Sequence, residues 1–332
     1  MSDPSLPSPS PPPPPLPHRG IYLEIIPPLD EHEPAASTPV SDSDVRFEDI
    51  YDQVDAQVFV NTSPPPAKTT YAVPKVIFIV PYRDRQTERE FFLKHMAYVM
   101  EDYDPSYYKI WFIHQKDTRT FNRGAIKNIG FLYAKTRYPD DYASITLVMN
   151  DIDTMPKKKN LLQFETTVGT IRHFYGFDYA LGGIVSITGK DFETINGFPN
   201  FWAWGYEDNA LQMRAKKNNI QIDRSQFYAF NFNRVDDEHF IHSNHNGDYR
   251  NTNRGEFDRY IYGTTEGIRS IRNIQYDVDE AEHMVHVSTF DTGTKENPLQ
   301  ASVVHIKDSA KPYGKILSIS KRRVKPVMNM MM

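Results

Sequence analysis

The sequence predicts an α/β fold in which a central sheet is flanked by helices. Three observations predict it. Short β-branched runs recur at Lys75–Val80 (KVIFIV), Tyr108–His114 (YKIWFIH) and Ser144–Met149 (SITLVM), apolar on both faces as buried parallel strands are. Segments with apolar residues at helical spacing separate them, at Thr87–Met100 and Arg123–Thr136. The polar motifs follow the strands at their carboxyl ends, where open α/β sheets bind ligands.

The first strand is expected to end at Pro81, and the first helix to bury Phe91, Phe92, His95, Met96 and Val99. Strand, helix, strand, helix, strand in that order reads as a sheet with right-handed crossovers. A later helix is expected at Asn209–Lys217. The 332 residues suffice for one large domain with tails, and Tyr 20 and Phe 20 supply a core as well as flat faces for sugars and bases. Residues 1–73 read as a Pro-rich, largely disordered tail, 74–306 as the catalytic domain and 307–332 as a basic, Met-rich tail. The run Pro11–Pro15 favours polyproline II, which acts as a spacer or as a ligand for an SH3-like partner. Asn61-Thr62-Ser63 fits the glycosylation pattern.

Composition excludes several classes. A formal net charge of -5 argues against a nucleic-acid partner. The absence of cysteine removes disulfides and thiolate metal sites. No stretch is apolar enough to span a bilayer and no signal pattern opens the chain, so the expectation is no transmembrane segment and a cytoplasmic location.

Four groups of residues carry chemistry. Asp151-Ile152-Asp153 follows a strand directly, where one carboxylate can accept from a ribose hydroxyl and the other can hold a hard divalent cation. Turn formation is the plainer reading of such a pair. His239 and His242, three apart, can converge on one ion from a turn, with His245 nearby. With Asp153 they make a carboxylate and two imidazoles, a set also found in non-haem Fe(II) oxygenases. Trp202, Trp204, Glu207 and Asp208 occupy a loop before a helix. The tryptophans suit sugar rings, and Asp208 suits a general base. Glu207 and Asp208 equally suit the dipole of that helix. Pro81, Tyr82, Arg83 and Arg85 follow the first strand, and Phe121 and Arg123 follow the second. Guanidinium groups suit phosphate and uracil carbonyls, and rings suit base stacking. Surface ion pairing is the alternative for the arginines.

Taken in order, these motifs resemble the β-1,4-galactosyltransferase family. The matching stretches are VPYRDR (Val80–Arg85), FNRGAIKNIGF (Phe121–Phe131), NDIDTMP (Asn150–Pro156) and LGGIVSITGKDFETINGFPNFWAWGYEDN (Leu181–Asn209), with coverage from about Pro74 to Ile261. The resemblance implies a GT-A type nucleotide-sugar-binding fold with a mixed, mostly parallel central sheet, a UDP-sugar donor, a glycan or glycoconjugate acceptor, Mn²⁺ and inversion at the anomeric carbon. It implies that Phe121 and Arg123 hold uridine with Arg83 and Arg85 assisting. Asp151 then touches the ribose region, and Asp153, His239 and His242 bind metal. It further implies that Trp204 closes over the donor beside Gly182 and Gly183, that Glu207 contacts the acceptor and that Asp208 is the base.

The departures are informative. His239 stands where the vertebrate pattern has a methionine ligand, and the harder imidazole admits Mg²⁺ beside Mn²⁺. Ala180 stands where the family has a tyrosine that excludes an N-acetyl group, which admits UDP-GalNAc beside UDP-galactose. Asn209 replaces a third acidic residue. The missing family cysteines and anchor fit a soluble form from an unusual source such as a virus. The competing readings are a non-catalytic sugar-binding protein on the same scaffold and an Fe(II) oxygenase.

Overall fold

In the computed structural model, the structure describes residues 70–202, 205–230, 237–243, 249–252, 266–294 and 302–305. The Pro-rich tail with its SH3-like contact, Asn61–Ser63, Trp204, His245 and residues 307–332 lie outside the described residues. The strands are β1 (Val76–Tyr82), β2 (Tyr108–Gln115), β3 (Thr146–Asn150), β4 (Thr154–Pro156), β5 (Thr170–Gly176), β6 (Ile184–Thr188), β7 (Gln221–Asp223), β8 (Tyr228–Ala229), β9 (Phe240–His242), β10 (Tyr249–Thr252), β11 (Arg272–Asp279), β12 (Met284–Asp291) and β13 (Ser302–His305). The helices are α1 (Gln86–Val99), α2 (Arg123–Arg137), α3 (Gly189–Thr194) and α4 (Glu207–Lys217).

Among the described residues, the main sheet runs β11-β12-β2-β1-β3-β6-β5-β7, with β8 pairing β5. Strand β1 is parallel to both β2 and β3, β12 to β2, and β7 and β8 to β5. The pairs β3–β6, β5–β6 and β11–β12 are antiparallel. The sheet is therefore mixed and mostly parallel, and helices cover it, as the sequence predicts. Every residue of β1, β3 and β6 is buried, which is why these runs show no polar alternation.

Two of the shifts in expected boundaries bear on the site. Strand β1 continues through Pro81 to Tyr82, because β2 pairs with it to the end while β3 pairs only to Ile79. A residue without an N–H is tolerated where one side of the strand has lost its ladder. Helix α4 starts at Glu207, two residues earlier than expected, so the acidic pair forms its first turn.

The chain passes from β1 to β2 on one side and then crosses to β3 on the other. The crevice of such a sheet lies where the order reverses, at the carboxyl ends of β1 and β3. Helix α2 points its N-terminus there. Asn122 caps it by accepting from the Ala125 N–H at 2.9 Å. The helix is pressed onto the Gly197–Asn200 loop. Asn128 accepts from the Phe198 N–H at 2.9 Å and donates to Phe198 O at 2.8 Å and Asn200 Oδ1 at 2.9 Å. A Cβ on Gly124 would run into the Pro199 carbonyl. In an open helix Gly→Ala is stabilising by about 1 kcal/mol, but here the neighbour is backbone. Gly124→Ala is expected to destabilise the fold by roughly 1–3 kcal/mol. A thermal melt against the parent chain checks the sign.

Candidate active site

At this crevice Arg123 meets three carboxylates. Its Nη2 lies 2.5 and 2.6 Å from the two Asp151 oxygens. Its Nη1 lies 2.5 Å from Glu207 Oε1 and 3.1 and 3.0 Å from the two Asp208 oxygens. The three acids come from the end of β3 and the first turn of α4. The N-termini of α2 and α4 add positive partial charge at the same place. Lys127, one turn along α2, puts Nζ 3.5 Å from Asp151 Oδ1 and 3.9 Å from Asp208 Oδ1.

The carboxylates differ. Burial pushes Asp151 up, but Arg123 and then Lys127 outweigh it and hold the carboxyl below its ordinary range. Burial and then the neighbouring Asp208 push Glu207 up. Its side chain is 3% exposed. Its Oε2 is buried with no hydrogen-bond partner among the described residues, although a buried carboxylate oxygen ordinarily has one. Asp208 is 22% exposed and so remains open to the crevice. Its carboxylate rests on the backbone at Gly182, where a Cβ would collide with Oδ2. Gly182 thus serves Asp208. Gly183, at φ 72, lets its strand lie against Tyr175 O and accepts from the Asp151 N–H at 3.2 Å.

The predicted nucleotide-binding residues fall into a supporting tier. Arg83 donates to the carbonyls of Gln115, Asp117 and Arg119 at 3.1, 2.9 and 2.6 Å and lies over the Phe121 ring. It staples the loop that presents the half-buried Phe121. Pro81 is buried in the sheet, and the Tyr82 ring packs edge-on against Phe112 and His114, so Tyr82 presents no open stacking face. Arg85 sits at the N-cap of α1. Arg123 was expected to contact uridine, yet both Nη groups are committed to carboxylates, because three acids converge on one cation.

Trp202 corrects another expectation. It is buried, stacks on Phe290 at 5.6 Å and donates from Nε1 to Thr292 Oγ1 at 3.2 Å and Thr294 O at 3.0 Å. Arg119 covers its ring. Trp202 is therefore a core anchor and offers no face to a sugar.

The histidines divide in a similar way. Strands β4 and β9 form an antiparallel ribbon pairing Thr154 with His242, and Ser243 N–H donates to Asp153 O at 3.1 Å. Asp153 and His242 therefore share one end of the ribbon. His239 sits at the other end, where its carbonyl accepts from the Lys157 N–H at 2.7 Å and its ring packs on Tyr228. Residues three apart on a strand face opposite sides, whereas on a helical turn they converge. Among the described residues no cluster of three His, Asp or Glu is assembled to hold a metal. The expected triad of Asp153, His239 and His242, and with it the ligand set of an iron oxygenase, is not brought together. Asp153 and His242 do fit a divalent cation by donor type. Asp237 Oδ2 lies 3.0 Å from His242 Nε2, the kind of carboxylate partner that orients metal-binding imidazoles.

Several supporting residues escape sequence reasoning: Asn122, Lys127, Asn128 and His173. His173 Nε2 lies 3.1 Å from both Tyr175 O and Gly182 O, and its Nδ1 accepts from Arg224 Nε at 3.2 Å. The ring therefore buttresses the strand end on which Asp208 rests. Burial, and then Arg224, lower its pKa to about 4. The folded protein keeps this imidazole neutral, while the unfolded chain protonates it near 6.5. Stability from this group is complete above about pH 6.5 and declines as pH falls toward 4. The change expected over that window is about 2–3 kcal/mol. His173→Gln should flatten that part of the pH dependence in thermal melts.

Comparison with known proteins adds to this geometry. Residues 34–164 match the model for the N-terminal region of glycosyl transferase group 7. Residues 163–245 match the model for the N-terminal domain of galactosyltransferase. Together the two span well over half of the chain. The chain is 34% identical over 170 residues to xylosylprotein 4-beta-galactosyltransferase of Caenorhabditis elegans, covering 48% of this chain and 56% of the relative. It is 30% identical over 172 residues to beta-1,4-galactosyltransferase 7 of Drosophila melanogaster, covering 49% and 51%. It is 30% identical over 168 residues to human beta-1,4-galactosyltransferase 4, covering 46% of each. The chain thus spans about half the length of the curated relatives it matches. A solved structure of a Drosophila β1,4-galactosyltransferase 7 mutant, in complex with manganese, UDP-Gal and xylobiose, superposes with a TM-score of 0.49 at 20% identity, over 65% of this chain and 93% of that one.

Proposed function

This chain belongs to the β-1,4-galactosyltransferase family of glycosyl transferase group 7, and we propose that it is a metal-dependent, inverting glycosyltransferase. It moves galactose or N-acetylgalactosamine from a UDP-sugar to a hydroxyl of an acceptor sugar, forming a β-linkage. The observation that carries the reading is the acidic pair at the start of α4. Asp208 lies open to the crevice, and beside it Glu207 holds a buried oxygen that has no hydrogen-bond partner among the described residues.

The chemistry assigned to these residues is a single displacement. The acceptor hydroxyl gives its proton to Asp208 as its oxygen attacks the anomeric carbon. The bond from that carbon to the UDP oxygen breaks on the opposite face, and UDP leaves with the electron pair, so configuration inverts. Glu207 Oε2 suits a second acceptor hydroxyl, whose O–H would donate to that oxygen. Asp153 and His242 would hold the cation, Mn²⁺ or Mg²⁺, which when bound neutralises charge on the diphosphate. Trp204 is the residue proposed to close over the donor. Arg123 takes a different task from the uridine contact implied by the motif. It holds the acids in register, and Phe121 with its Arg83 staple is left as the nucleoside contact.

Two details of specificity belong to the same proposal. Ala180 is small and sits two residues from Gly182, which supports the admission of an N-acetyl substituent on the donor. An acceptor ending in xylose is supported by the name of the Caenorhabditis elegans relative. UDP release should be measured with UDP-galactose and UDP-GalNAc, with Mn²⁺ and with Mg²⁺, and with xylosides and N-acetylglucosaminides as acceptors. Asp208→Asn is expected to lower turnover by roughly 10²–10⁴ while retaining UDP binding. Full turnover in that variant would remove Asp208 as the base, and UDP binding without any UDP-sugar turnover would leave a sugar-binding protein.

A further inference from the structure

Lys127 has no task in that displacement, yet it is placed as if it had one. Its side chain is 1% exposed. It lies on α2 among core residues Ala125, Ile126 and Ile129, with the Phe198 ring 4.8 Å from Nζ. Taking an ammonium out of water is costly, and a hydrophobic residue of similar volume is often at least as stable in such a place. A buried lysine at the mouth of a crevice therefore calls for a reason beyond packing.

Charge supplies the reason. Asp151, Glu207 and Asp208 would each be anionic when ionised, and among the described residues Arg123 alone meets all three. Arg123 does not serve them equally. Its contacts to Asp151 and Glu207 are as short as 2.5 Å, while those to Asp208 are 3.0 and 3.1 Å. The acid that must take a proton is held most loosely. Lys127 stands 3.9 Å from Asp208 Oδ1 and 3.5 Å from Asp151 Oδ1. It is the second cation of the centre. It sits at i+4 from Arg123, so one helix face delivers both charges. The other charged neighbours of Asp208 do not substitute for it. Glu207 on α4 and Asp151 after β3 share its sign, and His173 on β5 is neutral near pH 7, its pKa being lowered to about 4.

We propose that Lys127 is a positioning residue. It balances the charge of Asp208 and Asp151 from within the core, so that Arg123 can be shared by three acids without Asp208 turning away from the acceptor. This inference rests on the reading of Asp208 as the base, but it also makes a claim about stability that does not.

The test uses Lys127→Met, which keeps length and removes charge, and Lys127→Arg, which restores charge, in the full chain. With the donor and acceptor found active, Lys127→Met is expected to lower kcat roughly 10–100-fold. The KM for UDP-sugar should stay within about twofold, because Lys127 acts through Asp208 and not on the donor. Lys127→Arg should recover most of the lost kcat. In melts without donor, acceptor or metal, the Tm deficit of Lys127→Met should be smaller in an Asp208→Asn background than in the parent chain, because one of the two charges that Lys127 balances is then gone. A side chain that merely fills space would give the same deficit in both backgrounds. An equal deficit in both backgrounds, or a kcat unchanged in Lys127→Met, overturns the proposal. If Lys127→Met does not fold, Lys127→Gln takes its place in the same two measurements and is judged by the same outcomes. If the parent chain turns over no UDP-sugar, the transferase reading falls, while the melts in the two backgrounds still decide what Lys127 does.

Discussion

Arg123 is the interaction on which the rest of the centre depends. Three carboxylates brought together without it would repel one another, and the least solvated would take up a proton to relieve the charge. One planar guanidinium with donors on both Nη groups can face several acids at once, which an ammonium cannot do with the same geometry. The position of that guanidinium is set by the helix carrying it. Asn122 caps α2, Gly124 lets it approach Pro199, and Asn128 ties it to Phe198 and Asn200. The same contacts fix the loop that leads to α4. The cation and two of its three acids are therefore located by one buried polar clamp.

The segment before α4 carries strain that serves the same end. Tyr206 adopts φ 68, a left-handed conformation that costs a non-glycine residue about 1 kcal/mol or more. It is the residue directly before Glu207, and it packs beside Phe201 and Ala210. The first two residues of α4, which follow it, both reach Arg123. Trp202 anchors the approach to this turn from the other side through Thr292 and Thr294. A strained turn between two buried anchors holds the acids against their mutual repulsion.

Much of this was legible in the sequence, for identifiable reasons. Strands β1, β2 and β3 and helices α1 and α2 announce themselves because buried strands and amphipathic helices have different periods. Asp151, Arg123, Glu207 and Asp208 stand out because they are polar residues at strand ends and a helix start. Lys127 and His173 do not stand out, because each sits inside an element whose pattern already looks complete. A charged residue on the apolar face of α2, four after Arg123, was the one available signal for Lys127. The spacing of His239 and His242 suggests convergence on one ion, but residues three apart converge only on a helical turn. His239 stands just before β9 and His242 ends it, so their spacing separates them.

The same reasoning explains how Asp151 and Asp153 come to serve different partners. On a continuing strand, residues two apart share a face, and both carboxylates would point to one place. The strand does not continue. Asn150 donates from Nδ2 to Asp151 O at 2.7 Å and to Thr154 O at 2.9 Å, closing a turn between β3 and β4. Before the turn Asp151 goes to Arg123. After it Asp153 goes to the ribbon with His242. The Asp-x-Asp spacing is thus not a chelate by itself. It is a branch point, where a single side-chain amide sends one carboxylate to the centre proposed to take the acceptor proton and the other toward the place where a cation and a diphosphate would sit.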